Sequence, residues 1–463
     1  MTVVLRERSD LTLDAFRRVA WDREDARLDM DALRAIDAAR VAFMALIEDG
    51  SITVYGVTSG FGDRARLQLT SEERARQARE AADRGVSFGE ALPERVTRGI
   101  VFARLANIVG GHAAIRPELA SAVAGMLDGR ALAPVPSQGN GGSGEIIALG
   151  HLFRPLTDAF ELEEKEGLAL INGSPCAAAL IADAALSAAN RLTLAYDAFA
   201  LSVEAFRAPL EAYDEALETL WGDAHETAAL QALRNRLEGA DPARTSYQAP
   251  VSYRILARVL GQAERSADAA GEAAGHSLSS VTDNPVFLPP SPADPRGRVV
   301  STGGYHNSAA PQALNALAVT WADLARLAER HIEQLWVGPG KRQSQLLEEL
   351  LSLLLMVAAG YGEEASAAAQ PTLLFRSGPG QNDVGSPSFL AWQRSEAAGA
   401  ALDACLAILL TVSTQLLIAE GRSAPTALRA RFAQIAALYP SADRPYSGRV
   451  SDVVAALVAE IYP

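Results

Sequence analysis

Pro136-Ser-Gln-Gly-Asn-Gly-Gly-Ser-Gly-Glu145 packs four glycines into a loop directly ahead of the apolar run Ile146-Ile-Ala-Leu149. Glycine backbones reach turns closed to residues with a Cβ and let other groups approach closely. Within the loop, Gly142-Ser143-Gly144 has the chemistry for an uncommon self-modification. The nitrogen of Gly144 can attack the carbonyl carbon of Gly142, and loss of water, including the Ser143 hydroxyl, leaves an electrophilic five-membered ring. Only a residue without a side chain presents so unhindered a nitrogen. A phosphate cradle or a plain turn is the competing reading. Against the cradle, no Gly-Lys-Ser/Thr closes the run, and Glu145 would repel an anion at the helix start.

Further motifs lie on either side. They are Tyr55-Gly-Val-Thr-Ser-Gly-Phe-Gly62, Glu166-Gly-Leu-Ala-Leu-Ile-Asn-Gly-Ser174, and Thr282-Asp-Asn-Pro285 followed by Ser301-Thr-Gly-Gly-Tyr-His306. In this order the set resembles the histidine and phenylalanine ammonia-lyase family, from about residue 30 to about residue 395. The resemblance implies an all-α fold, a long central helical bundle of the ammonia-lyase and fumarase-like type with a loop-rich N-terminal part bearing the active-site loops. It also implies a homotetramer whose active sites draw loops from three subunits. Its prosthetic group would be 4-methylidene-imidazol-5-one (MIO), formed here from Gly142-Ser143-Gly144.

The same resemblance assigns roles. Tyr55 matches the catalytic tyrosine that acts as base, and Arg254 the arginine that pairs with the substrate carboxylate, for which a planar guanidinium suits two-point contact. Asn172 matches an asparagine beside the prosthetic group and Gln248 a polar residue there. Several positions depart from the family pattern. The triad reads Gly-Ser-Gly rather than Ala-Ser-Gly, the loop before it is one residue short, and Glu145 replaces an aspartate thought to assist maturation. Arg84 falls where histidine ammonia-lyases keep a histidine that contacts the substrate side chain. Val251 occupies the position of a second catalytic tyrosine, and Tyr305, Tyr247 or Tyr253 can return the lost phenol. Asn382 stands where a glutamate or glutamine approaches the amino group.

Composition bounds the rest. Hydrophobic residues make up 49% and aromatics 6% of 463 residues, a balance that favours a large helical core. A net charge of −14 argues against a nucleic-acid-binding surface. Cys176 and Cys405 are expected to be buried, reduced thiols of a cytoplasmic protein. The charged start Met1-Thr-Val-Val-Leu-Arg-Glu-Arg8 lacks the apolar stretch of a signal peptide. Ala400–Ala419 is apolar, but Asp403, Ser413 and Gln415 interrupt it, so a buried core helix is expected. The six histidines show no metal-ligand spacing, and no Gly-x-Ser-x-Gly elbow is present.

Apolar periodicity predicts helices over 30–48, 94–110, 117–127, 145–153, 177–207, 214–237, 252–280, 311–336, 344–360 and 387–420, with a solvated helix near 71–84 and a short strand at 299–302. No repeat of fixed period is present. The expected organisation is an N-terminal loop and short-helix part over 1–200 and a long-helix bundle over 201–463, forming one continuous structural unit.

Three functions fit these residues. The first is an ammonia-lyase or 2,3-aminomutase acting on an amino acid other than histidine. The second is an enzyme of the same fold without the ring, catalysing another elimination, addition or cyclisation. The third is a catalytically silent binding or regulatory relative. Arg84 suggests a ligand bearing an acidic or strongly accepting group, unless it pairs with Asp83, Glu90 or another protein carboxylate.

Overall fold

The computed structural model describes residues 2–80, 83–244, 248–338, 345–439 and 449–463. It is mainly helical, as expected, with three short two-stranded sheets among the described residues. The chain divides into two compact units that interleave along the sequence. The first comprises Met1–Ala184, Ala270–Leu314 and Thr372–Gln393, and the second Ala185–Ala269, Asn315–Pro371 and Arg394–Pro463.

The first unit opens with strand Thr2–Leu5, paired in parallel with Asp25–Leu28. Helix Met30–Glu48 begins where predicted because the Asp29 carboxylate accepts the Asp31 amide hydrogen at 2.9 Å, satisfying a donor the helix cannot use itself. Its apolar stripe of Ile36, Ala39, Phe43, Leu46 and Ile47 is buried. Phe43 and Leu46 share a core cluster with Val54, Val57 and Phe287, and the Phe43 and Phe287 rings meet edge to face at 5.5 Å. That cluster pins both flanks of Tyr55. Strand Val286–Leu288 pairs antiparallel with Arg298–Val300, which overlaps the short strand expected at 299–302.

In the second unit, the Arg191 guanidinium makes two hydrogen bonds to the Asp403 carboxylate, at 2.8 and 3.0 Å, with both side chains buried. Asp403 is thus a paired charge within the long apolar helix Ser388–Ala419, whose most apolar stretch is 94% buried. Gly399 makes room for the pair, since a Cβ there would stand 2.7 Å from the Arg191 guanidinium carbon. Both cysteines are free and buried, as expected.

Several predicted helices have different limits. The one expected over 214–237 is two, Ala216–Trp221 and Ala224–Arg236. Gly222 ends the first in the left-handed region (φ 66°), and the Asp223 carboxylate caps the second through the His225 and Glu226 amides. The one expected over 252–280 is likewise two, Val251–Arg254 and Leu256–Ser279. Helix Gln345–Ala368 runs past Gly360, where an added Cβ would meet open space.

Candidate active site

A cavity of about 400 Å³ lies in the first unit. Tyr55, Arg84, Ser143, Asn172, Tyr305 and Asn382 line it, so residues far apart in sequence meet around the glycine loop. Gln248 and Arg254 belong to the second unit and are not among the lining residues.

Tyr55 sits on a tightly tied loop. The Val54 carbonyl accepts the amide hydrogens of Val57, Thr58 and Ser59, and the Val54 amide donates to the Thr58 hydroxyl at 2.7 Å. Gln77 donates its amide to the carbonyls of Gly56 and Ser59. Gly56 takes φ 68°, and a Cβ there would stand 2.6 Å from Leu168. The Gly62 amide then donates to the Tyr55 phenol oxygen at 2.9 Å, which fixes the phenol at the cavity wall.

The triad is held from both sides. Asn140 donates to the Pro136 carbonyl at 2.6 Å and accepts from Ser87, while Gln393 donates to the Ser137 carbonyl. Ser143 donates its hydroxyl to the Val384 carbonyl at 2.8 Å, and the Ser386 amide donates to the Gly142 carbonyl at 3.1 Å. Gly144 takes φ 85°, with the Tyr305 ring 3.3 Å from the position a Cβ would occupy. These features fit ring closure: a carbonyl polarised by a donor, an anchored serine hydroxyl, and a glycine where a side chain would be strained and crowded.

Glu145, next in the chain, is buried and is not among the residues that line the cavity. Its carboxylate accepts the amide hydrogens of Cys176 and Ala177 at 2.5 and 2.7 Å, closing the start of helix Pro175–Phe206. Burial pushes its pKa up to about 7, although the amide donors pull the other way. Asn172 ends helix Glu166–Ile171; its side-chain oxygen accepts from the Gly173 amide, and its carbonyl accepts from buried Arg104.

Among the described residues, Arg84 is the one charged side chain of the lining, and it stacks over the Phe61 ring at 5.1 Å. Its loop lies close against helix Ile146–Ala159, because a Cβ at Gly150 would come within 2.9 Å of the Arg84 backbone. No ion pair joins Arg84 to Asp83, Glu90 or any other carboxylate among the described residues. The sequence pattern left that pairing open, and the geometry does not make it.

Of the alternative phenols, Tyr305 is at the triad. Tyr253 is buried in the second unit, bonded to Ser202 and stacked on Phe206, with burial raising its pKa, so it offers no phenol to the cavity. Tyr247 lies outside the described residues. Arg254 is exposed, and its Nε donates to the Ala249 carbonyl at 2.9 Å. The helix that carries it is braced from within: Tyr213 donates to the Tyr253 carbonyl at 2.7 Å, and His331 Nε2 lies 3.2 Å from the Ser252 carbonyl. His331 Nδ1 lies 3.0 Å from the Ser202 hydroxyl, and burial lowers the His331 pKa to about 4, so the ring is neutral and donates to Ser252.

Sequence reasoning missed the buried charges in the first unit. Lys165 pairs with Asp283 at 2.6 Å, and Arg104 stands 3.9 Å from the same carboxylate. Asp283 lies inside the quoted Thr-Asp-Asn-Pro motif, which was the available signal. His151 bonds Ser87 and His306 contacts Ser308, consistent with structural roles. Among the described residues no cluster of histidine, cysteine or acidic side chains could hold a metal ion.

The family model described as aromatic amino acid lyase matches residues 11–159 and 156–437. A histidine ammonia-lyase of Deinococcus radiodurans is 30% identical over 357 residues, covering 70% of this chain and 67% of that protein. The tyrosine aminomutase of Streptomyces globisporus superposes with a TM-score of 0.81 at 19% identity, covering 100% of this chain and 98% of the other. Ergothionase from Treponema denticola gives 0.84 at 16% identity, covering 100% and 99%.

Proposed function

The chain belongs to the aromatic amino acid lyase family, and from that premise we propose that it is an ammonia-lyase or 2,3-aminomutase acting on an amino acid other than histidine. The observation that carries this reading is the convergence of Tyr55, Ser143, Asn172 and Tyr305 on one cavity. An ammonia-lyase must remove a weakly acidic proton beside the amino-bearing carbon and make the amine a leaving group. Once formed from Gly142-Ser143-Gly144, MIO would supply an electrophile that bonds the substrate covalently and activates the amine.

The chain's own side chains do the remainder. Tyr55, held by the Gly62 amide, takes the proton. Tyr305, against Gly144, supplies the second phenol in place of the one missing at Val251. Asn172 and Asn382 offer amide donors and acceptors at the wall. Arg254 and Gln248 serve from a neighbouring subunit of a cytoplasmic homotetramer, Arg254 binding the substrate carboxylate. Arg84, a cation in a lining with no acid among the described residues, selects a substrate whose side chain is anionic or strongly hydrogen-bond accepting.

The test is a panel of α- and β-amino acids, aromatic and acidic, followed by ammonia release and by proton NMR of unsaturated and isomerised acids. At least one member should turn over with the wild type and none with Ser143→Ala. Turnover by both would support the ring-free elimination on the same scaffold. No turnover of any member would count against this reading.

A further inference from the structure

Resting on the reading just given, a different element of the first unit explains how the triad is made to react. The hairpin of Phe375–Arg376 and Val384–Gly385, with Phe375 opposite Gly385, lies against the glycine loop through two polar contacts. The Val384 carbonyl takes the Ser143 hydroxyl at 2.8 Å, and the Ser386 amide donates to the Gly142 carbonyl at 3.1 Å. Both contacts fall on groups that ring closure consumes. The Phe375 ring fills the space between the two strands of chain: a Cβ at Gly141 would meet it at 3.3 Å, and one at Gly385 at 2.3 Å. Ser386 is buried, so its amide hydrogen works away from bulk water.

We propose that the Ser386 backbone N–H is the oxyanion donor for self-cyclisation of Gly142-Ser143-Gly144, and that Phe375 wedges the hairpin to keep it on target. When Gly144 N bonds to Gly142 C, the carbonyl π pair moves onto the Gly142 oxygen, toward the Ser386 N–H. The Gly144 amide proton ends on that oxygen. The oxygen then leaves as water with the Ser143 amide proton, forming C=N. Ser143 loses its Cα proton and its hydroxyl as the second water. No oxidant or co-reactant is needed. A donor aimed at a carbonyl that gains charge stabilises the transition state more than the ground state.

Intact mass of purified full-length protein, followed over time after expression, tests this without a substrate. Ser386→Ala keeps the amide and should lose two waters at the wild-type rate. Ser386→Pro removes the donor and should close about a hundredfold more slowly, the usual cost of one oxyanion donor. Phe375→Ala, at a partly exposed ring, should fold and show an intermediate delay. Dehydration of a folded Ser386→Pro at the wild-type rate overturns the proposal, as does a defect in Ser386→Ala equal to that of the proline variant. If Ser386→Pro does not fold, wild-type dehydration of Phe375→Ala overturns it. A wild type that never loses two waters removes the ring reading itself, a separate outcome.

Discussion

Lys165 Nζ lies 2.6 Å from an Asp283 carboxylate oxygen, and both side chains are fully buried. Removing one partner leaves an unpaired charge in the interior. Asp283→Asn should therefore destabilise the folded chain by about 3–5 kcal/mol, measured by chemical denaturation. Asp283 directly precedes Asn284, whose side-chain oxygen holds the Thr302 amide and the Ser301 hydroxyl on the cavity wall. The variant should thus lose turnover even where it remains folded.

Gly142→Ala and Gly144→Ala should behave oppositely. A Cβ at Gly142 meets nothing closer than the Gly144 carbonyl oxygen at 3.5 Å, ordinary contact, so this variant should fold and dehydrate like the wild type. At Gly144 the left-handed backbone (φ 85°) and the Tyr305 ring at 3.3 Å both oppose a side chain. Its fold should be weakened by about 1–2 kcal/mol and its chain should keep both waters, read by melting and by mass.

Tyr55→Phe deletes the oxygen that accepts the Gly62 amide hydrogen but keeps the ring. Turnover should fall at least about a hundredfold, the scale of a lost general base. The melting temperature should change little, because Val54 and Val57 remain in the core cluster. A binding-only role predicts unaltered activity instead.

Arg84→Ala should raise KM for substrates with acidic side chains by about tenfold or more, the scale of a lost charge-assisted hydrogen bond, and leave neutral substrates nearly unaffected. An unchanged substrate profile would remove Arg84 from recognition.

His331 sets a pH dependence. Its folded pKa of about 4 lies below the ordinary 6.5, so its stabilising contribution is complete above pH 6.5 and is lost as pH falls toward 4. The loss should reach about 3 kcal/mol. Glu145, raised from 4.5 to about 7, acts in the opposite sense, with its contribution lost as pH rises between those values. The His331→Gln variant isolates the first effect: its stability difference from the wild type should shrink as pH falls from 7 to 4.

Local signals carried much of this molecule. Apolar residues three and four apart mark helix Met30–Glu48, and the dense glycines at 139–144 announce a loop with special backbone needs. Tyr55, Ser143 and Asn172 were legible because each sits in a glycine-bearing motif. The break at Gly222-Asp223 was obscured by apolar residues on both sides that keep helical spacing. Lys165 and Arg104, the partners of the motif residue Asp283, were opaque for another reason. Their burial depends on packing between segments more than a hundred residues apart, which no local pattern encodes. Tyr253 misled because a phenol beside Arg254 looks available until Ser202, His331 and Phe206 enclose it.

The most direct test of the central claim is the intact mass of the purified wild-type chain. The account predicts a protein lighter than its sequence by two water molecules, with the deficit mapping to the peptide that contains Gly142-Ser143-Gly144. A mass equal to that of the unmodified sequence would contradict it.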